Sequence, residues 1–144
     1  MDPFTPMDVS ASALSALRIR MNVIADNLAN VETTRTREGG PYRKKEVVFG
    51  AAPAGSFGNL FSGLSGEATP GVEVVGIVQS QTAPRKVLNP SHPDADRDGF
   101  VLMPDINPLI EMVDMMAATR AYEANVTAIQ SWKTMSAKSL EIGR

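Results

Sequence analysis

Asp94, Asp96 and Asp98 stand at alternate positions, Gly99 follows, and Asp105 falls at the twelfth place counted from Asp94. Carboxylates at that spacing on a tight turn can supply several of the roughly six to eight oxygens that calcium takes. Two features oppose an ion site. Pro90 and Pro93 break the helix that would have to enter such a loop. Asp105 is also one carbon shorter than the bidentate glutamate the geometry prefers. The run Phe100 to Met103 is strand-like, so the segment is expected to be a turn feeding a strand. Asp94, Asp96, Asp98 and Gly99 would then organise that turn through side-chain to backbone hydrogen bonds. A small calcium-binding module built on residues 94–105 is the alternative reading.

Other chemistry finds little footing. His92 is the single histidine, set between Ser91 and Pro93, with no nucleophile-elbow spacing beside it. Neither a phosphate-cradling loop nor a dinucleotide fingerprint is present. The chain has no cysteine, which removes disulfides, thiol catalysis and thiolate metal sites. No catalytic residue, metal or cofactor is expected. Arg35, Arg37, Arg43, Lys44 and Lys45 form a basic stretch with Tyr42, diluted by Glu38 and Glu46. With a net charge of −2 overall, this reads as a solvated loop and not as a nucleic-acid surface. Asn125-Val126-Thr127 is a formal glycosylation sequon, but it lies mid-helix and is set aside.

The elements around these residues fall into three zones: 1–31, 32–104 and 105–144. In the first, Leu14, Leu17, Met21, Ile24, Leu28 and Val31 recur at steps of three and four, the seam of a coiled-coil-like helix. Thr5, Pro6 and Asp8 suit its N-cap and first turn. Asn27 and Asn30 fall at its end, where amides satisfy carbonyls or accept left-handed geometry. In the last zone Asn107 can cap, Pro108 suits the first helical position and Gly143 is a natural stop. An apolar stripe runs through Met115, Ala118, Tyr122, Val126, Ile129, Trp132, Met135 and Leu140, with Ile110, Val113 and Ala117 broadening its start. Asn125 lies beside this stripe, either fixing helix register or facing solvent. Between the helices, residues 41–49, 71–79, 85–89 and 99–103 read as short strands, and the Gly/Ser/Ala-rich stretch at about 50–70 as a flexible loop. The fold class is α+β: long N- and C-terminal helices packed in a coiled-coil-like manner around a small β-rich middle region.

With 144 residues, 43% hydrophobic, the chain can bury one modest core. Eight methionines against 6% aromatics suit adaptable helix packing. No stretch approaches membrane-spanning length, so the chain is not expected to be membrane-embedded, and no cleaved secretory signal is expected. Two apolar seams with little globular body to cover them leave apolar surface over, which points to an oligomer. A monomeric helical adaptor, its two helices paired within one chain, is the rival architecture.

Several stretches together resemble the family of flagellar rod and hook axial proteins. The segment "NLANVETTRT" is similar to the N-terminal motif these proteins share, while "EGGPYRKKEVVF", "HPDADRDGFVLMPDIN" and "YEANVTAI" resemble its proximal-rod members. The resemblance covers nearly the whole chain, most loosely at about 50–70. It implies a structural subunit of the rod that crosses the periplasm as the flagellar drive shaft, exported unfolded through the flagellar type III apparatus. It also implies terminal helices that pack into a helical tubular core. Partners would be other copies of itself, other proximal-rod and distal-rod proteins, and the rod-base adaptor and export gate. Subunit packing is then expected at Leu14, Leu17, Met21, Ile24, Asn27, Leu28 and Asn30, and at Met115, Tyr122, Asn125, Val126, Ile129, Trp132 and Leu140.

Overall fold

The computed structural model describes residues 5–52 and 71–142. Helix α1 spans Thr5–Ala29 and helix α2 spans Pro108–Ile142. Neither helix contains an interior glycine or proline, so each runs unbroken. The start of α2 follows the expected chemistry: Asn107 Oδ1 accepts the Leu109 N–H at 3.0 Å, and Pro108 occupies the first helical position. Gly143 and the stretch 53–70, expected as a helix stop and a loop, lie outside the described residues.

Four strands lie between the helices: β1 (Lys45–Ala51), β2 (Val72–Gln79), β3 (Arg85–Leu88) and β4 (Phe100–Met103). They form two antiparallel ribbons, β1 with β2 and β3 with β4. The first runs in register from Lys45↔Gln79 to Ala51↔Val72, and a bulge makes Val75 the extra residue on β2. The second ribbon pairs Arg85↔Met103 through Leu88↔Phe100.

The helices pack against each other within the chain, and β1 and β2 pack on α1. Asn27 meets Glu111 and Met21 meets Thr119, so α1 and α2 run antiparallel. Continued one residue for one, that register sets Thr5 opposite about residue 134, so α2 outruns α1 by about two turns. Leu140, in that overhang, is 78% exposed. The hydrophobic core is small, formed by Ala16, Val23, Ile24, Val101, Ile106 and Ala118. The β1–β2 ribbon is held to α1 by the Val72 N–H donating to Ser12 Oγ at 3.1 Å and by Arg20 over the Phe49 ring. Two open ribbons and one helix pair cannot cover one another fully, so apolar side chains stay on the surface.

Candidate functional site

Two of the four most completely buried large side chains are polar, Glu111 and Asn27, beside Val101 and Pro104. Buried polar groups cost free energy unless bonded. The place where these two meet is therefore where the chain has invested most in one geometry.

Asn27, only 1% exposed, sits in the last turn of α1. Its Nδ2 donates to the Lys45 carbonyl at 2.8 Å and to Glu111 Oε2 at 3.2 Å. Its Oδ1 accepts the Lys45 N–H at 2.9 Å and the Tyr42 hydroxyl at 3.1 Å. The side-chain amide thus mimics a neighbouring strand for Lys45, the first residue of β1. All four of its bonding positions are filled. Glu111, 2% exposed and in the first turn of α2, turns its other oxygen to Lys44 Nζ at 3.0 Å. The positive end of the helix dipole favours a carboxylate there. Lys44 also faces Glu46 at 3.6 Å.

The electrostatics follow from this packing. The Glu111 hydrogen bond outweighs burial and raises the Lys44 ammonium above its ordinary value of 10.5. Burial, then the negative fields of Asp26 and Glu111, raise the Tyr42 hydroxyl above 10.0. The node joins α1, the loop after it, β1 and the start of α2. Among the described residues every buried side-chain nitrogen and oxygen has a partner. This is the pattern of a fastener.

Around the node the expected packing positions fall unevenly. Ile24 is buried, while Leu14, Leu17, Met21, Leu28 and Asn30 are half-buried. On α2, Met115, Tyr122, Asn125, Val126, Ile129 and Trp132 are half-buried, and Leu140 is exposed. The most deeply buried stripe of α1 is Ala16, Val23 and Asn27, turned slightly from the leucine seam because α1 must serve both α2 and the ribbon. Asn30 Nδ2 satisfies the Asp26 carbonyl at 2.8 Å, as an amide at a helix end should. No described residue other than glycine has positive φ, so the left-handed option is unused at both asparagines. Asn125 donates to the Ala121 carbonyl of its own helix at 2.9 Å, and the register-fixing amide is Asn27. Neither Ala16 nor Glu111 carried an expectation of deep burial. No spacing rule links Glu111 to Asn27 across 84 residues.

The acidic stretch joins β3 to β4. Asn89 N–H donates to the Gly99 carbonyl at 2.9 Å, Asp96 N–H to Phe100 at 2.8 Å and Gly99 N–H to Asp96 at 2.8 Å. The carboxylates are spent on separate partners: Asp94 accepts from Thr34 Oγ1 at 2.8 Å with Arg35 at 4.0 Å, and Asp96 accepts the Arg97 N–H at 2.7 Å. His92 Nδ1 accepts the Asp94 N–H at 3.1 Å. Gly99 takes φ +79°, which the turn requires and which favours glycine. Among the described residues no three acidic or histidine side chains converge to hold a metal ion. The calcium alternative therefore has no support; of the three aspartates expected to organise the turn, Asp96 alone bonds a backbone N–H, while Asp94 reaches the Thr34 and Arg35 side chains and Asp98 makes no such bond among the described residues. In the basic stretch, Arg35, Arg37 and Arg43 are exposed as expected, but Lys44 turns inward to Glu111.

No helix among the described residues is long and apolar enough to cross a membrane. The outer face of α2 is nevertheless apolar at its start: Leu109, Ile110, Met112, Val113 and Met116 are all exposed. An exposed cluster of this kind marks a contact surface.

Comparison with known proteins gives a consistent picture. Residues 7–35 match the family model described as "Flagella basal body rod protein", and residues 97–142 match "Flagellar basal body rod FlgEFG protein C-terminal". Curated relatives align over nearly their whole length. The chain is 44% identical to the flagellar basal-body rod protein FlgC of Bacillus subtilis, over 100% of both chains. It is 40% identical to that of Salmonella typhimurium, over 95% of each. To that of Borreliella burgdorferi it is 37% identical, over 99% of this chain and 98% of the relative. The matched segments contain both halves of the polar node, Asn27 and Glu111.

Proposed function

The chain belongs to the FlgC family of flagellar basal-body rod proteins and is a structural subunit of that rod; on that premise we propose that it polymerises through its terminal helices into the proximal segment of the drive shaft. Its work is mechanical, with no catalytic step. The node locks α1, β1 and α2 into one rigid unit, so that torque applied to one face is carried to the others. Its neighbours are further copies of itself, other proximal-rod and distal-rod proteins, and the rod-base adaptor and export gate. It reaches the periplasm through the flagellar type III apparatus.

One observation carries this reading: α2 packs its inner face on α1 yet leaves Leu109, Ile110, Met112, Val113 and Met116 open on the other side. A self-sufficient adaptor has no use for such a face. The helices do pair within one chain, so the adaptor architecture is right about the pairing and accounts for nothing of the outer patch. The test is electron microscopy of basal bodies from cells in which the chain is deleted and then restored. Rods should be missing without it and present with it. Complete rods and normal swimming in the deletion would overturn the proposal.

A further inference from the structure

The outer faces of the two helices differ in kind. Along α2, Leu109, Val113 and Met116 follow one another at steps of four and three, flanked by Ile110 and Met112, and each is between 45% and 66% exposed. These are large, deformable knobs within about 11 Å of helix. Along α1, the exposed positions Ala11, Ser15, Arg18, Asn22, Ala25 and Ala29 recur at steps of four and three. Four of the six are alanine or serine, and with Arg18 and Asn22 projecting between them they leave a shallow, interrupted trough about 27 Å long. The Ser15 hydroxyl already donates to the Ala11 carbonyl at 3.2 Å, so covering it would strand no donor.

Knobs of this size pack into holes lined by small residues, as in any helix–helix contact. Charge complementarity selects the occupant. Asp114 stands on the rim of the α2 patch, Arg18 in the α1 trough, and neither makes an ion pair within the described residues. Building on the rod reading, we infer that the α2 patch of one subunit docks in the α1 trough of a second copy of this chain, with Asp114 against Arg18. The two surfaces are different and lie on different helices. The contact is therefore heterologous: each subunit offers one knob face and one trough, and the contact repeats without closing.

Because the chain has no cysteine, paired substitutions report contacts without background. Ser15→Cys and Val113→Cys, together in one chain that replaces the cell's own copy, should give a disulfide ladder of dimers, trimers and higher species from oxidised basal bodies. Each single variant should stay monomeric. In parallel, Arg18→Asp or Asp114→Arg alone should lower the swimming fraction at least tenfold, and the two together should restore it. No ladder in cells that still swim would overturn the docking and leave the rod reading standing. Swimming in cells lacking the chain altogether would overturn the rod reading itself. A dimer from Val113→Cys alone would mean that patch meets patch, and a heavier band containing another protein would mean a different occupant. Either overturns the inference.

Discussion

Replacing Asn27 by alanine removes four hydrogen bonds at once, those to the Lys45 carbonyl and N–H, the Tyr42 hydroxyl and Glu111. At about 1 kcal/mol net each, the loss is about 4 kcal/mol. The site is almost fully closed to solvent, so the Lys45 N–H and a Glu111 oxygen are left buried without that partner. That keeps the cost from falling below about 3 kcal/mol. Against a total stability of about 5–15 kcal/mol, this is a large fraction. Urea unfolding of the purified chain, followed by circular dichroism, should show the midpoint falling at an unchanged slope. Asn30→Ala is the control: its amide donates to the Asp26 carbonyl and accepts the Thr33 hydroxyl, both where water can replace the lost partner, and it should cost no more than about 1–2 kcal/mol. Asn27→Asp keeps the shape but loses both donors and sets a second carboxylate beside Glu111, so its cost should exceed that of alanine at neutral pH and shrink on acidification. An Asn27→Ala loss no greater than that of Asn30→Ala would refute the idea that the node holds the helices together.

Three other outcomes are expected. Lys44 and Tyr42 hold their protons more tightly when folded, so their contributions are present below about 10.5 and 10.0 respectively and are lost as pH rises through the raised values; urea midpoints from about pH 8 to about pH 11.5 should fall at the alkaline end, and Lys44→Met with Tyr42→Phe should flatten that fall. Gly99→Ala should cost about 1–2 kcal/mol, since alanine is strained at φ +79° and its Cβ would meet Pro90 at 3.1 Å; a midpoint equal to the parent's would count against the turn geometry. Ile24→Asp puts a charge into the α1–α2 core at a cost of at least about 3 kcal/mol and should abolish rods while the chain is still expressed, so normal motility in that variant would sink the packing account.

The helices and ribbons were legible because local rules determine them. Leucines and methionines at steps of three and four, with Asn107 and Pro108 at a helix start, specify α1 and α2 with little outside help. Glycines and prolines rule out helix in the middle, where short runs rich in valine and isoleucine or phenylalanine mark the strands. The centre of the site was not legible in the same way. Asn27 is three residues from Asn30 and chemically identical, yet Asn30 caps a helix while Asn27 is buried and holds three residues through four hydrogen bonds. What separates them is the arrival of Lys45 and Glu111, a tertiary event that no periodicity encodes. Lys44 was hidden likewise, since a lysine among basic neighbours looks solvated until its carboxylate partner is known. The small stripe of Ala16 and Val23 was displaced from the leucine seam because the ribbon claims part of the same helix.

The link between Asn27 and Glu111 spans 84 residues, and that separation governs how the chain behaves while it is being made. Ribosomes add roughly 5–20 residues per second, so roughly 4–17 s pass between the emergence of one partner and the other. Throughout that interval α1 has no helix to lie on, its buried asparagine has no carboxylate, and the small core cannot close. The nascent chain therefore stays open at least until the first turn of α2, which carries Glu111, has left the ribosome. Closure of the node can only come late, by the order in which the residues are written.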